Sequence, residues 1–195
     1  MYVKNCMTPN PITIDTNEDV KFAIHTMVKK SIRQLPVLKN GKLVGIVTDR
    51  DLRAVLEQQN LKVNSVMTPE PITILEDASV EGAAKMLRMR KINALPVLSK
   101  NKELVGIITV TDVFDGLLNL LRVHDGPQRI QVTLPEGVDL YDVIKLLQIY
   151  SEKVLSFTTF DEDKRIYYFW VSKCDFDRLN TKCKERGLSI NIIHQ

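Results

Sequence analysis

The chain carries one eight-residue stretch twice, as Met7-Thr8-Pro9-Asn10-Pro11-Ile12-Thr13-Ile14 and, sixty positions later, as Met67-Thr68-Pro69-Glu70-Pro71-Ile72-Thr73-Ile74. The same offset relates Ile32–Leu38 to Ile92–Leu98 and, after one inserted residue, Leu43–Thr48 to Leu104–Thr109. A repeat at a fixed period indicates one structural unit that packs against its own copy. We therefore expect two units, 1–62 and 63–123, that form a closed pair with pseudo-two-fold symmetry and a ligand groove between them.

The first half of each copy predicts a strand followed by a helix. The extended run at Pro11–Ile14 or Pro71–Ile74 is fenced by prolines, which suits an edge strand. Apolar residues at helical spacing then predict a helix in each copy. We expect Thr16 and Asp77 to be the N-caps of these two helices, because Thr and Asp side chains accept bonds from first-turn N–H groups.

The second half of each copy predicts a hairpin and another helix. Two short apolar runs flank Asn40-Gly41, and Asn-Gly between β-type segments is a strong signal for a tight hairpin. The second helix is expected to begin at Thr48 in the first copy and at Thr109 in the second. The order of elements in each copy is therefore β-α-β-β-α.

The sequence beyond the repeats follows a different pattern. His124-Asp125-Gly126-Pro127 indicates a linker, because Asp-Gly and Gly-Pro both break regular structure. The elements predicted within 128–195 are a strand at Arg129–Leu134, a helix at Asp139–Tyr150, a hairpin of Val154–Phe160 with Arg165–Ser172, a helix at Asp175–Arg186 and a strand at Leu188–Ile193. This β-α-β-β-α-β order is the ferredoxin-like arrangement. The predicted fold class is α/β (α+β) throughout.

Composition narrows the classes of function. The 195 residues have a formal net charge of only +3, which argues against a general nucleic-acid binder. The three cysteines have no CxxC spacing and the three histidines are scattered, so we expect free thiols and no metal site. No apolar run reaches the length of a membrane span and no signal-peptide pattern begins the chain, which favours a cytoplasmic protein.

The local signal with the clearest chemistry is a Thr followed three residues later by an Asp, at Thr48/Asp51 and at Thr109/Asp112. One interpretation is structural: a capping box in which each side chain accepts a bond from the other residue's backbone. The other is functional: the start of a helix offers N–H groups to phosphate, and Asp can accept hydrogen bonds from both hydroxyls of a ribose. The duplication favours the functional interpretation, because the two copies would face each other.

These segments resemble the CBS domain (cystathionine-β-synthase domain), in the order M-T-x-x-P, h-P-V-h and L-V-G-h-h-T-x-x-D, twice over about residues 1–122. The resemblance implies a Bateman module, a pair of βαββα units that binds adenosine-type ligands in clefts between its halves. Carried over by position, it implies ribose contacts from Asp51 and Asp112, phosphate contacts from Thr48 and Thr109, and an apolar wall for the base from Ile46, Val47, Ile107 and Ile108.

The two copies differ where a polyphosphate would bind. The first has Arg33 and Arg50, whereas the second has Asn93 and Thr111 at the matching positions. The guanidinium group suits phosphate because it is a rigid fork of five donors, although an exposed surface Arg is an equally good interpretation. We expect one cleft to prefer a charged nucleotide and the other to tolerate a less charged adenosine compound.

Residues 128–195 resemble the ACT domain, a βαββαβ regulatory unit that often pairs and binds amino acids. The resemblance lies in Leu134–Leu140, with Gly137 in the turn, but Glu136 stands where that family has a proline. This departure puts amino-acid binding in doubt. The domain order as a whole resembles the acetoin utilization protein AcuB group of bacterial regulators.

Together these features predict a non-enzymatic sensor, because no catalytic motif occurs. It would form a homodimer, require no cofactor, bind AMP, ADP, ATP or S-adenosylmethionine as a regulatory ligand, and signal to an unidentified partner protein, in acetoin catabolism by the last resemblance. Two alternatives stay open. One is an interaction module without any ligand, and the other is an amino-acid sensor acting through the C-terminal domain.

Overall fold

The computed structural model describes residues 1–56, 58, 60–121, 128–161 and 163–193, with no description of the side chains of Phe160 and Asp161. The linker predicted at 124–127 lies outside the described residues. The chain divides into two compact units, Met1–Gly116 and Leu117–Gln195.

The duplicated region forms two copies of one set of elements. Those of the first copy are β1 (Thr8–Pro9), β2 (Ile14–Asp15), α1 (Val20–Lys30), β3 (Gln34–Lys39), β4 (Lys42–Thr48) and α2 (Asp49–Arg53). Those of the second are β5 (Thr68–Pro69), β6 (Ile74–Leu75), α3 (Val80–Arg90), β7 (Ala94–Leu98), β8 (Leu104–Thr109) and α4 (Val110–Leu120). The predicted Asn-Gly hairpin between β3 and β4 is confirmed, with positive φ at both Asn40 and Gly41 as a type I′ turn requires.

The front strand of each copy joins the sheet of the other copy. One sheet has the order β2-β3-β4-β5 and the other β1-β8-β7-β6. The prediction of a single edge strand at Pro11–Ile14 and Pro71–Ile74 is therefore wrong in extent: the prolines lack an N–H for the ladder, and each front segment splits into two strands of two residues on different sheets. The exchange ties the two copies together through backbone hydrogen bonds.

Glycine in the central strand of each sheet makes room for the exchanged segment. A Cβ on Gly45 would lie 2.4 Å from Met67 Sδ, and a Cβ on Gly106 would lie 2.4 Å from Met7 Sδ. Real Cβ atoms do not approach a sulfur this closely, so any side chain would push the methionine away. The L-V-G sequence shared by the copies thus follows from the exchange of the front strands.

The first helix of each copy begins later than predicted. Asp19 and Ser79 hold the N-cap positions, so the predictions of Thr16 and Asp77 as caps are wrong. A distant partner accompanies the start of α3: its first helical N–H, on Val80, donates to the Met1 carbonyl oxygen at 3.1 Å. Ser79 then caps the helix locally, because its Oγ accepts from the Gly82 N–H at 3.0 Å.

The C-terminal unit contains β9 (Gln128–Thr133), α5 (Leu140–Tyr150), β10 (Lys153–Asp161), β11 (Ile166–Ser172), α6 (Phe176–Glu185) and β12 (Ser189–Ile193). The predicted β-α-β-β-α-β order is confirmed. Its antiparallel sheet has the order β10-β11-β9-β12. Ile130, Val132 and Phe169 on the sheet pack with Leu147 and Leu179 of the two helices into one buried core.

Two further features of the chain are its cysteines and the lengths of its helices. Cys6, Cys174 and Cys183 are all free thiols, and burial raises the pKa of the Cys174 thiol to about 11. None of the helices in the described part of the chain combines the length and apolar character needed to cross a bilayer.

Candidate ligand-binding clefts

Both Thr-x-x-Asp segments form complete capping boxes. Thr48 donates to Asp51 Oδ2 from its backbone N–H at 2.9 Å and from its hydroxyl at 2.7 Å, and Thr48 Oγ1 accepts from the Asp51 N–H at 3.3 Å. The corresponding distances for Thr109 and Asp112 are 2.8, 2.7 and 3.3 Å. The structural interpretation of the pattern is therefore realised in both copies.

This geometry divides the polar atoms of each box into used and free ones. The hydroxyl of each Thr donates its one proton to the carboxylate, so it can face a ligand only as an acceptor. Oδ2 of each Asp is occupied, while no hydrogen bond to Oδ1 is found among the described residues. Oδ1 is the atom of each box that can accept from a ligand hydroxyl.

Two clefts open between the copies, and all residues that line them belong to the Met1–Gly116 unit. The Thr109 cleft has a volume of 760 Å³. Residues of both copies line it, and they are Thr8, Asn10–Ile12, Ser31–Gln34, Asp49, Arg50 and Arg53 of the first copy and Asn93, Ile107 and Thr109–Thr111 of the second.

The Asp51 cleft has a volume of 310 Å³. Its lining residues are Gln34, Ile46, Thr48–Asp51, Thr68, Glu70–Ile72, Lys91–Ala94 and Pro96. Both clefts fall within the range of about 300–1,000 Å³ that is usual for small-molecule sites. Because Gln34, Asp49, Arg50 and Asn93 line both clefts, the two sites share a wall.

The structure distributes the predicted polar residues unequally between the clefts. Thr48 and Asp51 line the Asp51 cleft, and Thr109 lines the other. Arg33 lines the Thr109 cleft and does not line the Asp51 cleft, which holds the Thr48 and Asp51 of its own copy. Arg50 lines both clefts. Both arginines that the sequence predicts for phosphate therefore line the cleft that carries the second copy's threonine.

Asp112 does not line the Thr109 cleft. It is half-buried, and its carboxylate lies close enough to Cys6 to influence that thiol. Burial is the main cause that raises the pKa of Cys6, and the negative charge of Asp112 adds to the shift. The two aspartates share a capping geometry but have different surroundings.

Two of the four predicted wall residues are absent from the clefts. Val47 and Ile108 are fully buried in the protein core, while their neighbours Ile46 and Ile107 line the Asp51 and Thr109 clefts. Successive side chains of a strand point to opposite faces. The expectation that Val47 and Ile108 flank a base is corrected on this ground, and the role of Ile46 and Ile107 against a base stays a prediction.

Sequence reasoning missed a pair of equivalent residues that line the clefts, Asn10 and Glu70. These residues are the one mismatch in the repeated eight-residue stretch, and both have positive φ, 48° and 47°. Asn10 lines the Thr109 cleft and Glu70 lines the Asp51 cleft. The signal was visible in the sequence as the single changed position.

The two linings differ in charge. The Thr109 cleft has three arginines and one carboxylate, Asp49, which pairs with Arg53 at 3.0 Å. The Asp51 cleft has Arg50 and Lys91 against the carboxylates of Asp49, Asp51 and Glu70. The first cleft is suited to an anion, and the second is not.

Other predicted features lie away from the clefts. Gly137 has a φ of +80°, and a Cβ there would meet no atom within 4 Å, so the residue serves the backbone of an open turn before α5. Within the described residues, no group of three or more His, Cys, Asp or Glu side chains could hold a metal ion.

A duplicated βαββα unit with exchanged front strands and paired clefts defines a two-copy module. The CBS domain model matches residues 3–58 and 63–119, and the chain belongs to the CBS-domain family. This match confirms the predicted tandem CBS pair, or Bateman module.

Two relatives differ in the share of their length that the chain covers. The chain is 37% identical over 134 residues to a CBS domain-containing protein of Dictyostelium discoideum, covering 61% of this chain and 92% of that protein. It is 33% identical over 160 residues to the inosine-5'-monophosphate dehydrogenase of Korarchaeum cryptofilum, covering 75% of this chain and 33% of the enzyme. The chain therefore spans only a third of that enzyme.

Solved structures with the same fold include ligand complexes. CBSX2 in complex with AMP is 30% identical at a TM-score of 0.57, covering 61% of this chain and 97% of the other. The CBS domain pair of protein MJ0100, in complex with 5'-methylthioadenosine and S-adenosyl-L-methionine, is 31% identical with the same TM-score and coverage. A protein of Vibrio cholerae assigned to acetoin utilization (AcuB) is 32% identical at a TM-score of 0.57, covering 65% and 96%.

Proposed function

We propose that this protein is a non-enzymatic regulatory protein that binds adenosine-type ligands in the Thr109 and Asp51 clefts and signals to a partner. The observation that carries the proposal is Asp51, whose side chain lines a cleft of 310 Å³. The capping box holds this carboxylate by Oδ2 and leaves Oδ1 for a ligand hydroxyl. Complexes of AMP and S-adenosyl-L-methionine with structures about 30% identical to this chain support the ligand class.

Each part of the ligand has a proposed partner. Asp51 accepts from the ribose hydroxyls, and Ile46 and Ile107 pack against the base. A ribose contact from Asp112, which does not line the Thr109 cleft, remains the prediction made from the sequence. Phosphate groups contact Arg33 and Arg50, which are exposed residues that both line the Thr109 cleft. Thr48 and Thr109 hold the carboxylates in position, and a direct contact of either threonine with phosphate remains the prediction made from the sequence.

Calorimetric titration with adenosine, AMP, ADP, ATP and S-adenosylmethionine tests the proposal. We expect Asp51→Ala to weaken adenosine binding by at least about tenfold, because a hydrogen bond to a charged group contributes about 1.5–3 kcal/mol. The double variant Asp51→Ala, Asp112→Ala should abolish it. If none of the five compounds binds, or if the double variant binds them as the wild type does, the assignment fails.

The capping boxes favour one competing function, an interaction module without a ligand, because the Thr and Asp of each motif bond to each other and so have a structural role of their own. On that account Asp51→Ala would lower the free energy of unfolding by about 0.5–2 kcal/mol, as loss of a cap does. It would change no ligand response. Urea denaturation of the same variant, run beside the titration, separates the two functions.

We place the C-terminal unit in the signalling step, as an ACT-type domain that pairs with a second copy in a cytoplasmic homodimer. The β-α-β-β-α-β order supports this proposal. A ligand can shift the arrangement of such a dimer only by binding two arrangements with different affinity.

Acetoin catabolism is the pathway we propose for the partner, from the likeness to the Vibrio cholerae protein. Sedimentation velocity with and without AMP tests the dimer, and ligand-induced amide protection around Gly137 would favour amino-acid sensing instead.

A further inference from the structure

Glu70 gives the Asp51 cleft a carboxylate that its counterpart lacks. Asn10 and Glu70 follow the exchanged strands β1 and β5, at the same step of the repeated eight residues, and share one backbone conformation with φ of 48° and 47°. Each lines the cleft beside it. The chain has therefore placed a neutral amide and a negative charge at equivalent points of two equivalent sites.

The conformation at this position favours Asn over Glu. Non-glycine residues with positive φ are uncommon, and Asn is among the few types enriched there, because its short polar side chain can bond locally. Asn10 follows that preference and Glu70 does not. Glu70 makes no ion pair among the described residues, so the fold offers no structural use for its charge.

Other carboxylates add to the negative charge that Glu70 brings to the Asp51 cleft. Asp49 and Asp51 also line the Asp51 cleft, against Arg50 and Lys91. Arg50 is shared with the Thr109 cleft, where Arg33 and Arg53 also lie. A phosphate in the Thr109 cleft would engage Arg50 there and leave Lys91 as the cation of the Asp51 cleft. The occupied pair would then present more carboxylates than cations to a second ligand.

We infer that the Asp51 cleft selects an adenosine compound that carries a positive charge, such as a sulfonium, and that Glu70 determines this selection. The inference rests on the proposed function, because it needs adenosine-type ligands to bind at all. A carboxylate attracts a cationic substituent, repels a phosphate, and leaves the neutral nucleoside almost unaffected. The Thr109 cleft, with Asn10 in place of Glu70, has no such preference for a cation.

Titration of the full-length protein with S-adenosylmethionine, adenosine and ATP tests the inference on two matched variants. Glu70→Asn gives the Asp51 cleft the residue of the other site, and Asn10→Glu does the reverse. Asn10→Glu uses a backbone conformation that Glu70 already adopts in this chain.

We expect Glu70→Asn to weaken S-adenosylmethionine about tenfold and to leave adenosine unchanged, an effect that fades as salt screens the exposed charge. Asn10→Glu should weaken ATP by a similar factor. If S-adenosylmethionine binds the wild type and Glu70→Asn equally, or if adenosine loses as much affinity as S-adenosylmethionine, Glu70 does not select charge and the inference is overturned. If adenosine itself does not bind the wild type, the proposed function fails first and the inference falls with it.

Discussion

The Thr109 cleft and the Asp51 cleft are built from matching parts of the two copies, yet four pairs of matching residues that differ in charge or polarity lie at the surface. Arg33 corresponds to Asn93, Arg50 to Thr111, Asn10 to Glu70 and Ser31 to Lys91, and all eight side chains are exposed. The core positions of the pair match closely: Leu35 corresponds to Leu95 and Val37 to Val97, all fully buried. Duplication thus preserved the frame, and charge diverged where a change costs little folding energy.

The largest expected effect comes from giving the first copy the residues of the second. The double variant Arg33→Asn, Arg50→Thr should weaken ATP by about 1.5–3 kcal/mol for each arginine that contacts phosphate. Adenosine, which has no phosphate, serves as the control and should bind as before. Calorimetric titration measures both affinities, and equal losses for ATP and adenosine would mean that the arginines do not read phosphate.

A smaller effect, on the free energy of unfolding, is expected from substitution of the two glycines that contact the exchanged segments. Gly45→Ala and Gly106→Ala each place a Cβ within 2.4 Å of a methionine sulfur, and overpacking of this kind costs about 1–3 kcal/mol. Because the two contacts are equivalent, the two variants should lower the free energy of unfolding by similar amounts in urea denaturation. A loss in only one of them would contradict the equivalence of the exchanged strands.

The smallest effect concerns the two aspartates, of which Asp51 lines a cleft and Asp112 lies near Cys6. Burial and the Asp112 carboxylate both raise the pKa of Cys6, so Asp112→Asn should lower that pKa and speed alkylation of Cys6 between pH 8 and 9. The Asn side chain keeps an acceptor for the capping box.

Asp51→Asn is the matched control for this experiment and should leave the rate at Cys6 unchanged. Cys174, with a pKa raised to about 11 by burial, should remain slow in both variants. Mass spectrometry resolves the three thiols. Equal rates at Cys6 in the wild type and in Asp112→Asn would show that the carboxylate does not act on the thiol.

The order of elements was predictable because it depends on local periodicity and on the repeat, which both lie in the sequence. The pairing of strands between the two copies was not predictable from the sequence. The front strands at Thr8–Pro9 and Thr68–Pro69 join the opposite sheets, and a partner so distant in sequence leaves no local signal. The same cause defeated the prediction of Thr16 as a cap, because the first N–H of α1, on Val20, donates to the distant carbonyl of Leu61.

The candidate site was partly predictable for similar reasons. The Thr and Asp of each motif form the predicted local geometry because they are three residues apart on one helix start. Arg33 lies in the cleft of the opposite copy, which only the packing of the pair decides. The prediction that Val47 and Ile108 flank a base was wrong because side chains alternate along a strand. This alternation assigns both residues to the core face when Ile46 and Ile107 face a cleft.

The most direct test of the account is a crystal structure of the full-length protein grown with saturating ATP and S-adenosylmethionine together. We expect ATP in the Thr109 cleft with its phosphates against Arg33 and Arg50, and S-adenosylmethionine in the Asp51 cleft with its sulfonium on the side of Glu70. The same ligand in both clefts, or phosphates directed at Glu70, would contradict it.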